Sequence, residues 1–197
     1  MGRQARLSRQ TAETAVELEL DLDGTGQAVI GTGIGFFDHM LHHLARHALW
    51  DMRLAVTGDI HVDAHHTVED TGLVLGRAVH QALGDKSGIR RFGHAVLPMD
   101  DALVTAAVDL SGRPCFVWRI DIARQKLGAF DSELAQEFWR AVACAGMFNL
   151  HVLGHYGHNV HHQIEAVFKA VAQALRVACE RDPRCTSIPS TKGTLAG

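Results

Sequence analysis

The sequence lacks the long hydrophobic runs of a membrane protein. No apolar stretch approaches the roughly 18 residues that a membrane-crossing helix requires, and the N-terminal stretch MGRQARLSRQ has charge but no apolar signal core. The sequence also lacks a large excess of positive or negative charge. Its formal net charge is −3, and the basic residues form no continuous run. These absences argue against a membrane segment and give no general electrostatic reason to bind nucleic acid, so we predict a cytoplasmic protein.

Cysteine is scarce, and its spacing suits neither a metal ribbon nor a disulfide framework. The four cysteines, Cys115, Cys144, Cys179 and Cys185, form no CxxC pair and no dense cluster. This pattern favours reduced thiols that are mostly buried. Histidine, in contrast, is abundant. The 14 histidines call for an explanation, because imidazole is the commonest metal-binding side chain.

Two segments of the chain repeat each other. The segment that begins at Leu54 aligns without gaps on the segment that begins at Leu150, at a constant offset of 96 residues. A shorter match upstream, DLDGTG from Asp21 and DLSGRP from Asp109, has an offset of 88. The longer match superposes two copies of a His-His-x-x-Glu element: His65 on His161, His66 on His162 and Glu69 on Glu165. The sequence therefore predicts an internally duplicated protein.

Both halves carry the same predicted order of elements. Each starts with two runs of alternating apolar and polar residues around the Gly-containing turn, TAVELELDLDG with QAVIGT and ALVTAAVDL with PCFVWRID, which we interpret as hairpins. A helical pattern follows, FFDHMLHHLARHAL or SELAQEFWRAVACAG, and then a strand, DMRLAVTG or FNLHVLG. A long helix that opens at the His-His pair ends each half, roughly at 66–83 and 162–181.

The order ββαβα predicts an α+β fold. Helices packed on one face of each mostly antiparallel sheet form a layer, and two such layers can pack helix against helix around one core. We assign residues 10–90 to the first half, 91–184 to the second half and 185–197 to a C-terminal tail. A further strand is expected at FGHAVL, in the linker between the halves.

The His-His-x-x-Glu element has a metal-chelating geometry. Residues three or four apart share a helix face, so Glu69 lies on the side of His65 and His66, and the second copy repeats this arrangement. Adjacent histidines point about 100° apart on a helix, so the two members of a pair are expected to serve different ions. Each half then has a spare imidazole, and we expect sites that are completed across the halves or across subunits.

The ligand types indicate which ions fit. Imidazole and carboxylate without thiolate, with enough donors for six-coordination, favour Mn²⁺ or Fe²⁺ over a closed tetrahedral zinc site, although zinc could still bind. The HExxH spacing of zinc proteases is absent from the sequence. A further ligand is expected from the shorter helix of each half: His39 in the first half, and Glu137 near the corresponding place in the second.

Ordered motifs along nearly the whole chain resemble one known family. The motifs are TAET, GxxFFDHML, DxHHTVED, GIRRFG, DLSGRP, NxHHxxEAxFKA and IPSTKG. Together they resemble imidazoleglycerol-phosphate dehydratase, a lyase of histidine biosynthesis. The resemblance implies a duplicated unit of the ribosomal-protein-S5-domain-2-like type, which agrees with the ββαβα repeat. It also implies a homo-oligomer of 24 subunits with active sites at subunit contacts.

The resemblance also implies a reaction and its metal. The reaction is the dehydration of D-erythro-imidazole-glycerol phosphate to imidazole-acetol phosphate, with two Mn²⁺ ions per subunit and no organic cofactor. A metal bound to an imidazole nitrogen acts as a Lewis acid, which lets the ring accept electrons as hydroxide departs. The implied metal ligands are His39, His65, His66, Glu69, Glu137, His161, His162 and Glu165.

The other implied site residues handle protons and phosphate. Glu13, in the TAET motif, is our choice for proton transfer, with the ligands Glu69 and Glu165 as further catalytic carboxylates. Guanidinium forks suit phosphate oxygens, and we expect the tail to become ordered when substrate binds. The residues expected to contact the substrate are Glu13, His43, His47, Lys169 and, around the phosphate, Arg91, Arg113, Ser190, Thr191 and Lys192.

Two other functions are compatible with the same residues. The repeated element could build a non-catalytic metal-binding or metal-storage shell, or the metal beside a phosphate site could serve a metal-dependent phosphatase. Glu13, Arg91, Arg113 and Lys192 discriminate against storage, because a phosphorylated substrate needs them and a storage shell does not. Release of inorganic phosphate from the substrate would identify a phosphatase.

Overall fold

The computed structural model describes residues 2–195, so the last two residues of the predicted tail lie outside the described part. The first half contains β1 (Gln4–Gln10), β2 (Thr14–Asp21), β3 (Ala28–Gly31), α1 (Gly35–Ala48), β4 (Asp51–Gly58) and α2 (His65–Leu83). The second half contains β5 (Phe92–Met99), β6 (Ala102–Asp109), β7 (Cys115–Arg119), β8 (Lys126–Leu127), β9 (Phe130–Asp131), α3 (Leu134–Ala145), β10 (Asn149–Tyr156) and α4 (Val160–Cys179). The α+β class and the ββαβα order of each half are confirmed.

Each half starts with one more strand than the predicted unit. In the second half this strand is β5, which covers the FGHAVL segment that the sequence predicts as extended. In the first half it is β1, which the sequence analysis did not predict. Only Ala5 and Leu7 of β1 face the core between charged and polar neighbours, so the alternation is too weak to stand out.

The interpretation of the paired runs as hairpins is wrong. The first sheet has the order β1-β2-β4-β3, and the second has the matching order β5-β6-β10-β7. β4 therefore lies between β2 and β3: Leu18 of β2 pairs antiparallel with Leu54 of β4, and β3 runs parallel to β4. A helix, α1, connects β3 to β4, and such a crossover is the connection that parallel strands require. The true hairpins are β1–β2 and β5–β6.

The helices of the two sheets pack against each other and form one core. α2 covers β1 and β2, and α4 covers β5 and β6. Between the sheets, α1 of the first half contacts α4 of the second, and α2 contacts α3. Phe138 of α3 and Phe168 of α4 stack with ring centroids 5.4 Å apart in this core. Within residues 2–195, every helix falls short of the length and hydrophobicity needed to span a bilayer.

Glycine allows the close contact between α2 and α3. A Cβ atom added at Gly76 would lie 2.4 Å from the carbonyl oxygen of Val142, and one at Gly72 would lie 2.8 Å from that of Phe138. Any larger residue would push the helices apart, because such distances are far inside van der Waals contact. Two glycines at this spacing thus fix how the long helix of the first half lies on the second half.

The prediction that the cysteine thiols are mostly buried is wrong. All four are free thiols, but only Cys179 is buried, whereas Cys115 and Cys144 are exposed. Burial raises the pKa of the Cys179 thiol to about 12, so this thiol stays protonated and unreactive. The others lie in a strand, in the exposed side of α3 and in the tail, where the fold does not cover them.

Candidate active site

A histidine stripe on α1 meets a stripe of polar and charged residues on α4 where the two helices pack together. Residues at i and i+4 share a helix face, so each stripe lies along one side of its helix. The packing of α1 on α4 brings the two stripes face to face, one from each half of the chain. We call this set the α1–α4 cluster; it consists of His39, His43 and His47 on α1 and of His161, Glu165 and Lys169 on α4.

Glu165 lies at the centre of the α1–α4 cluster. Its carboxylate is 6 % exposed. One oxygen, Oε2, lies 3.1 Å from Nε2 of His161 and 3.5 Å from Nε2 of His39. The other oxygen, Oε1, lies 3.3 Å from Nε2 of His43 and 2.5 Å from Nζ of Lys169. A single carboxylate therefore gathers three imidazoles and an ammonium from both halves.

Electrostatics favour the charged form of the Glu165 carboxylate and the neutral form of the His43 imidazole. Burial opposes the charge of Glu165, but the hydrogen bond from Lys169 and the nearby His43 more than offset it and lower the pKa of Glu165 to about 2. Burial also lowers the pKa of His43 to about 4, despite the Glu165 carboxylate. The pKa of His47 is lowered by burial and by Lys169. Neutral imidazole and ionised carboxylate are the forms that bind metal ions.

The donor set of the α1–α4 cluster fits a divalent cation. One ligand atom from each of His39, His43 and Glu165 lies within 4.8 Å of the other two. Nitrogen and carboxylate oxygen without thiolate are ligands for Mn²⁺, Fe²⁺ or Zn²⁺. Sequence analysis placed His43 in the substrate pocket and not among the ligands, and its role stays a prediction. The i, i+4 spacing of His39 and His43 is the sequence signal that groups the two imidazoles.

The first His-His-x-x-Glu copy has a looser version of the same geometry. Nε2 of His65 lies 4.0 Å from Oε2 of Glu69 at the exposed start of α2. The rings of His65 and His66 are 6.2 Å apart and nearly perpendicular, at 89°. The rings of the second pair diverge in the same way, at 6.1 Å and 76°. Each pair of neighbouring imidazoles thus points in two directions, as the helical spacing requires.

The second histidine of each pair is held by carboxylates near a strand turn. Nδ1 of His162 lies 2.6 Å from Oδ1 of Asp101, and its Nε2 lies 3.4 Å from Asp100, in the β5–β6 turn. Asp101 also accepts backbone hydrogen bonds from His158 and Asn159, and the hydrogen bond with His162 holds the pKa of Asp101 well below its usual range. Sequence analysis missed these aspartates, although the 88-residue offset places Asp101 opposite Glu13.

His66 has the corresponding environment in the first half. Its Nδ1 lies 3.1 Å from Oδ2 of Asp59, and this hydrogen bond raises the pKa of His66. Its Nε2 lies 3.8 Å from Oε1 of Glu13, which belongs to the β1–β2 turn and is half exposed. A carboxylate on Nδ1 leaves Nε2 as the nitrogen that can bind an ion. Glu13 therefore stands beside a possible metal position.

The structure does not bring Glu137 into this arrangement. Glu137 lies in the first turn of α3, and its Oε1 forms an ion pair of 3.1 Å with Arg140. Within the described part of the chain, no ion pair joins Glu137 to His65. Its role as a metal ligand stays a prediction.

The residues predicted to bind phosphate gather around the tail. Arg91 forms a bidentate pair with Asp109, at 2.7 and 3.1 Å, and donates to the carbonyl oxygen of Pro189 at 2.9 Å. The tail beyond Pro189 carries Ser190, Thr191 and Lys192, and the backbone N–H of Lys192 donates to Oγ of Ser190. The side chain of Arg113 is exposed in the turn between β6 and β7. The tail thus lies against Arg91 through the Pro189 carbonyl, and its ordering when substrate binds stays a prediction.

The predicted metal ligands and the predicted phosphate-binding residues lie at opposite ends of the long helices. His161 is in the first turn of α4, whereas the backbone N–H of Arg91 donates to Ala178 near the last turn. From position 161 to position 178 a helix rises about 26 Å, at about 1.5 Å per residue. The β5 strand spans a similar gap, with the Asp100 turn at one end and Arg91 at the other. One chain therefore cannot bring both sets to a single small molecule.

The comparisons with known proteins identify the family. The family model for imidazoleglycerol-phosphate dehydratase matches residues 32–175. The imidazoleglycerol-phosphate dehydratase of Granulibacter bethesdensis is 58% identical over 196 residues, 99% of this chain and 100% of that protein. The one of Paracoccus denitrificans is 57% identical over 98% of this chain and 100% of its own length.

Solved structures agree with the sequence relatives. The crystal structure of the Pyrococcus furiosus enzyme superposes with a TM-score of 0.83 at 36% identity, over 95% of this chain and 99% of that one. The Staphylococcus aureus imidazoleglycerol-phosphate dehydratase gives the same TM-score at 33% identity, over 91% of this chain and 99% of that one. The duplicated fold, the paired histidine elements and these relatives agree, and the chain belongs to the imidazoleglycerol-phosphate dehydratase family, the dehydratases of histidine biosynthesis.

Proposed function

We propose that this protein dehydrates D-erythro-imidazole-glycerol phosphate to imidazole-acetol phosphate in the cytoplasm, with two Mn²⁺ ions per subunit and no organic cofactor. The observation that carries the proposal is the α1–α4 cluster, in which ligand atoms of His39, His43 and Glu165, from both halves, lie within 4.8 Å of one another and His161 lies 3.1 Å from Glu165. A bound divalent ion supplies Lewis acidity to the imidazole ring of the substrate. The other proposed ligands are His65, His66, Glu69, His162 and Glu137.

Glu13 is the residue that we propose to move the proton. Its carboxylate faces Nε2 of His66 across 3.8 Å and is half exposed, so an incoming substrate can reach it. The short β1–β2 turn fixes its backbone, since Oγ1 of Thr11 accepts a hydrogen bond from the N–H of Glu13 at 3.1 Å. Glu69 and Glu165 are further candidates, but Lys169 already neutralises Glu165. Glu13 thus combines access with proximity to the proposed ligands.

The distance between the two sets of residues supports active sites shared between subunits. The substrate has an imidazole ring and a phosphate at the ends of a three-carbon chain, far shorter than the roughly 26 Å between the two ends of α4. We therefore propose that one subunit contributes the metal ligands and another contributes Arg91, Arg113, Ser190, Thr191 and Lys192. An assembly of 24 subunits would repeat this contact by symmetry.

A dehydration assay on imidazole-glycerol phosphate, with and without added Mn²⁺, tests the proposal. We expect turnover in the presence of Mn²⁺, loss of turnover after chelation, and dissociation of the large particle as the ligands lose their ion. Mass photometry before and after chelation measures the dissociation. Loss of activity without any change in metal content or size would contradict the coupling between metal and assembly.

The same assay separates the alternatives. A phosphatase would release inorganic phosphate from this substrate, whereas a dehydratase forms a ketone and keeps the phosphate. A shell that only binds metal would do neither. Two observations speak against such a shell. The relatives of this chain are named as enzymes, and a protein that only stores metal does not need the contact between Arg91 and the tail. Phosphate release at the rate of substrate loss would therefore replace the proposed reaction.

Asp101→Asn should weaken the binding of metal. Asp101 holds Nδ1 of His162 at 2.6 Å, and such outer partners orient the imidazole and raise its basicity. We expect an affinity for Mn²⁺ that is about 10 to 100 times lower, measured by titration calorimetry on the apoprotein. Asp131→Asn is the matched control, since Asp131 pairs only with the exposed Lys126. Equal affinities for both variants would remove Asp101 from the metal site.

A further inference from the structure

Lys86 is a buried lysine without a visible partner. Its residue is 3 % exposed, and its Nζ atom has no hydrogen-bond partner among the described residues. Burying an ammonium group in this way is costly, because it gives up its hydration without gaining a hydrogen bond. The backbone adds to the cost, since Lys86 has a φ of 65°, in the left-handed region that favours glycine. A buried charge, a missing hydrogen bond and a positive φ at one residue are all unfavourable, so we expect Lys86 to have a role that offsets them.

The segment around Lys86 supports the tail and the Arg91–Asp109 pair. The backbone N–H of Gly88 donates to the carbonyl of Ser187 at 3.0 Å, two residues before the Pro189 carbonyl that Arg91 binds. Among the described residues Lys86 forms no ion pair, so Asp109 and Arg91 act on it from beyond ion-pair distance: burial lowers the pKa of Lys86, the charge of Asp109 raises it and the charge of Arg91 lowers it further. Lys86 thus belongs to the same charged group as the residues proposed for phosphate.

The charge balance of this group shows what Lys86 would add to Arg113 and Lys192, the other cations proposed for the phosphate. Asp109 binds Arg91 in a bidentate pair, which cancels the charge of the guanidinium. Three of the five N–H groups of Arg91 are used by Asp109 and Pro189, so two remain to donate to a ligand. A neutral pair would attract a phosphate dianion only weakly. With the ammonium of Lys86, the group has a net charge of +1.

We propose that Lys86 is a positioning residue of the phosphate site, whose buried ammonium attracts the Asp109 carboxylate and restores the positive charge that this carboxylate takes from Arg91. The inference rests on the proposed function, because it assumes that Arg91 binds the substrate phosphate. Lys86 itself does not touch the ligand. Its ammonium has no hydrogen-bond partner among the described residues, and a phosphate group bound to Arg91 would balance its charge.

Lys86→Met tests this role, because methionine fills a similar volume without the charge. In the absence of phosphate the variant should melt about 2–4 °C higher than the wild type, since an uncompensated buried charge is removed. In phosphate buffer the wild type should gain stability, whereas the variant should gain little. In the dehydration assay, KM should rise about tenfold while kcat changes less than twofold, because a neighbouring charge acts on binding. Lys126→Met removes an exposed ammonium and should match the wild type in every measurement.

Each outcome decides between the inference and the proposed function. A lower melting temperature for Lys86→Met without phosphate would show that Lys86 only supports the fold, and would overturn the inference. An equal phosphate-induced shift in variant and wild type would also overturn it, and leave the phosphate site intact. No phosphate-induced shift in the wild type, with no rise in KM for an Arg91→Ala variant, would overturn the phosphate site itself and the inference with it.

Discussion

A Glu13→Gln variant is expected to bind Mn²⁺ and to assemble normally, yet to lose most of its turnover. The amide keeps the shape of the side chain and can still face Nε2 of His66, but it cannot accept a proton from the substrate. Positioned acid–base groups contribute about 10²- to 10⁴-fold to a rate, so we expect kcat to fall by that factor. Steady-state kinetics, metal analysis and particle size measure the three quantities.

The control for this variant is Glu17→Gln. Glu17 is an exposed carboxylate in the middle of β2, so its loss removes the same charge without touching the turn. Its rate should equal that of the wild type, because exposed surface charges contribute little. A near-normal rate for Glu13→Gln would exclude Glu13 from proton transfer. Loss of metal in that variant would instead make Glu13 a ligand or a ligand support.

Mixing two inactive variants is expected to restore activity. Glu13→Gln damages the metal end of the chain and Arg113→Ala damages the phosphate end, and the long helices keep these ends apart within one chain. If each site takes Glu13 from one subunit and Arg113 from another, random co-assembly leaves both residues intact in roughly a quarter of the sites. Co-expression of the two variants with different affinity tags, followed by tandem purification and assay, measures the recovery.

The matched control for mixing is a subunit that carries both substitutions. Co-assembled with Glu13→Gln subunits, the double variant cannot supply an intact Glu13, so activity should stay at the background level. Arg113 is suited to the experiment, because its exposed side chain makes no described contact that holds the fold. No recovery in a particle that contains both single variants would show that one chain supplies both ends, and would overturn the shared site.

The duplicated α+β fold could be predicted because the longer repeat keeps a constant offset of 96 residues and both halves show the same apolar pattern. Helices with apolar faces, such as α2 and α4, follow directly from the spacing of their residues. Strand pairing did not follow, because alternation shows which face is buried but not which strand is the neighbour. Thus Leu18 was correctly expected in a strand, whereas its partner Leu54 in β4 came only from the structure.

The candidate site could be predicted only in part, because a sequence pattern shows which residues share one helix face but not how two helices pack. A motif on one helix can be read from spacing, so His161 and Glu165 were expected to share a face, and they lie 3.1 Å apart. The position of His43 beside them depends on how α1 packs against α4, which no local pattern encodes. The roles of Asp101 and Lys86 depend on turns and burial, and these also appear only in three dimensions.

The exchange of helix contacts between the halves bears on how such a chain could have arisen. α1 buries its face on α4, and α2 buries its face on α3, so each half covers helices that belong to the other. An ancestral protein of half this length would have exposed that apolar surface as a monomer and could have hidden it only by pairing with a second copy. A gene fusion would turn such a contact between two molecules into the interior of one, and would place the histidines of both partners on a single backbone.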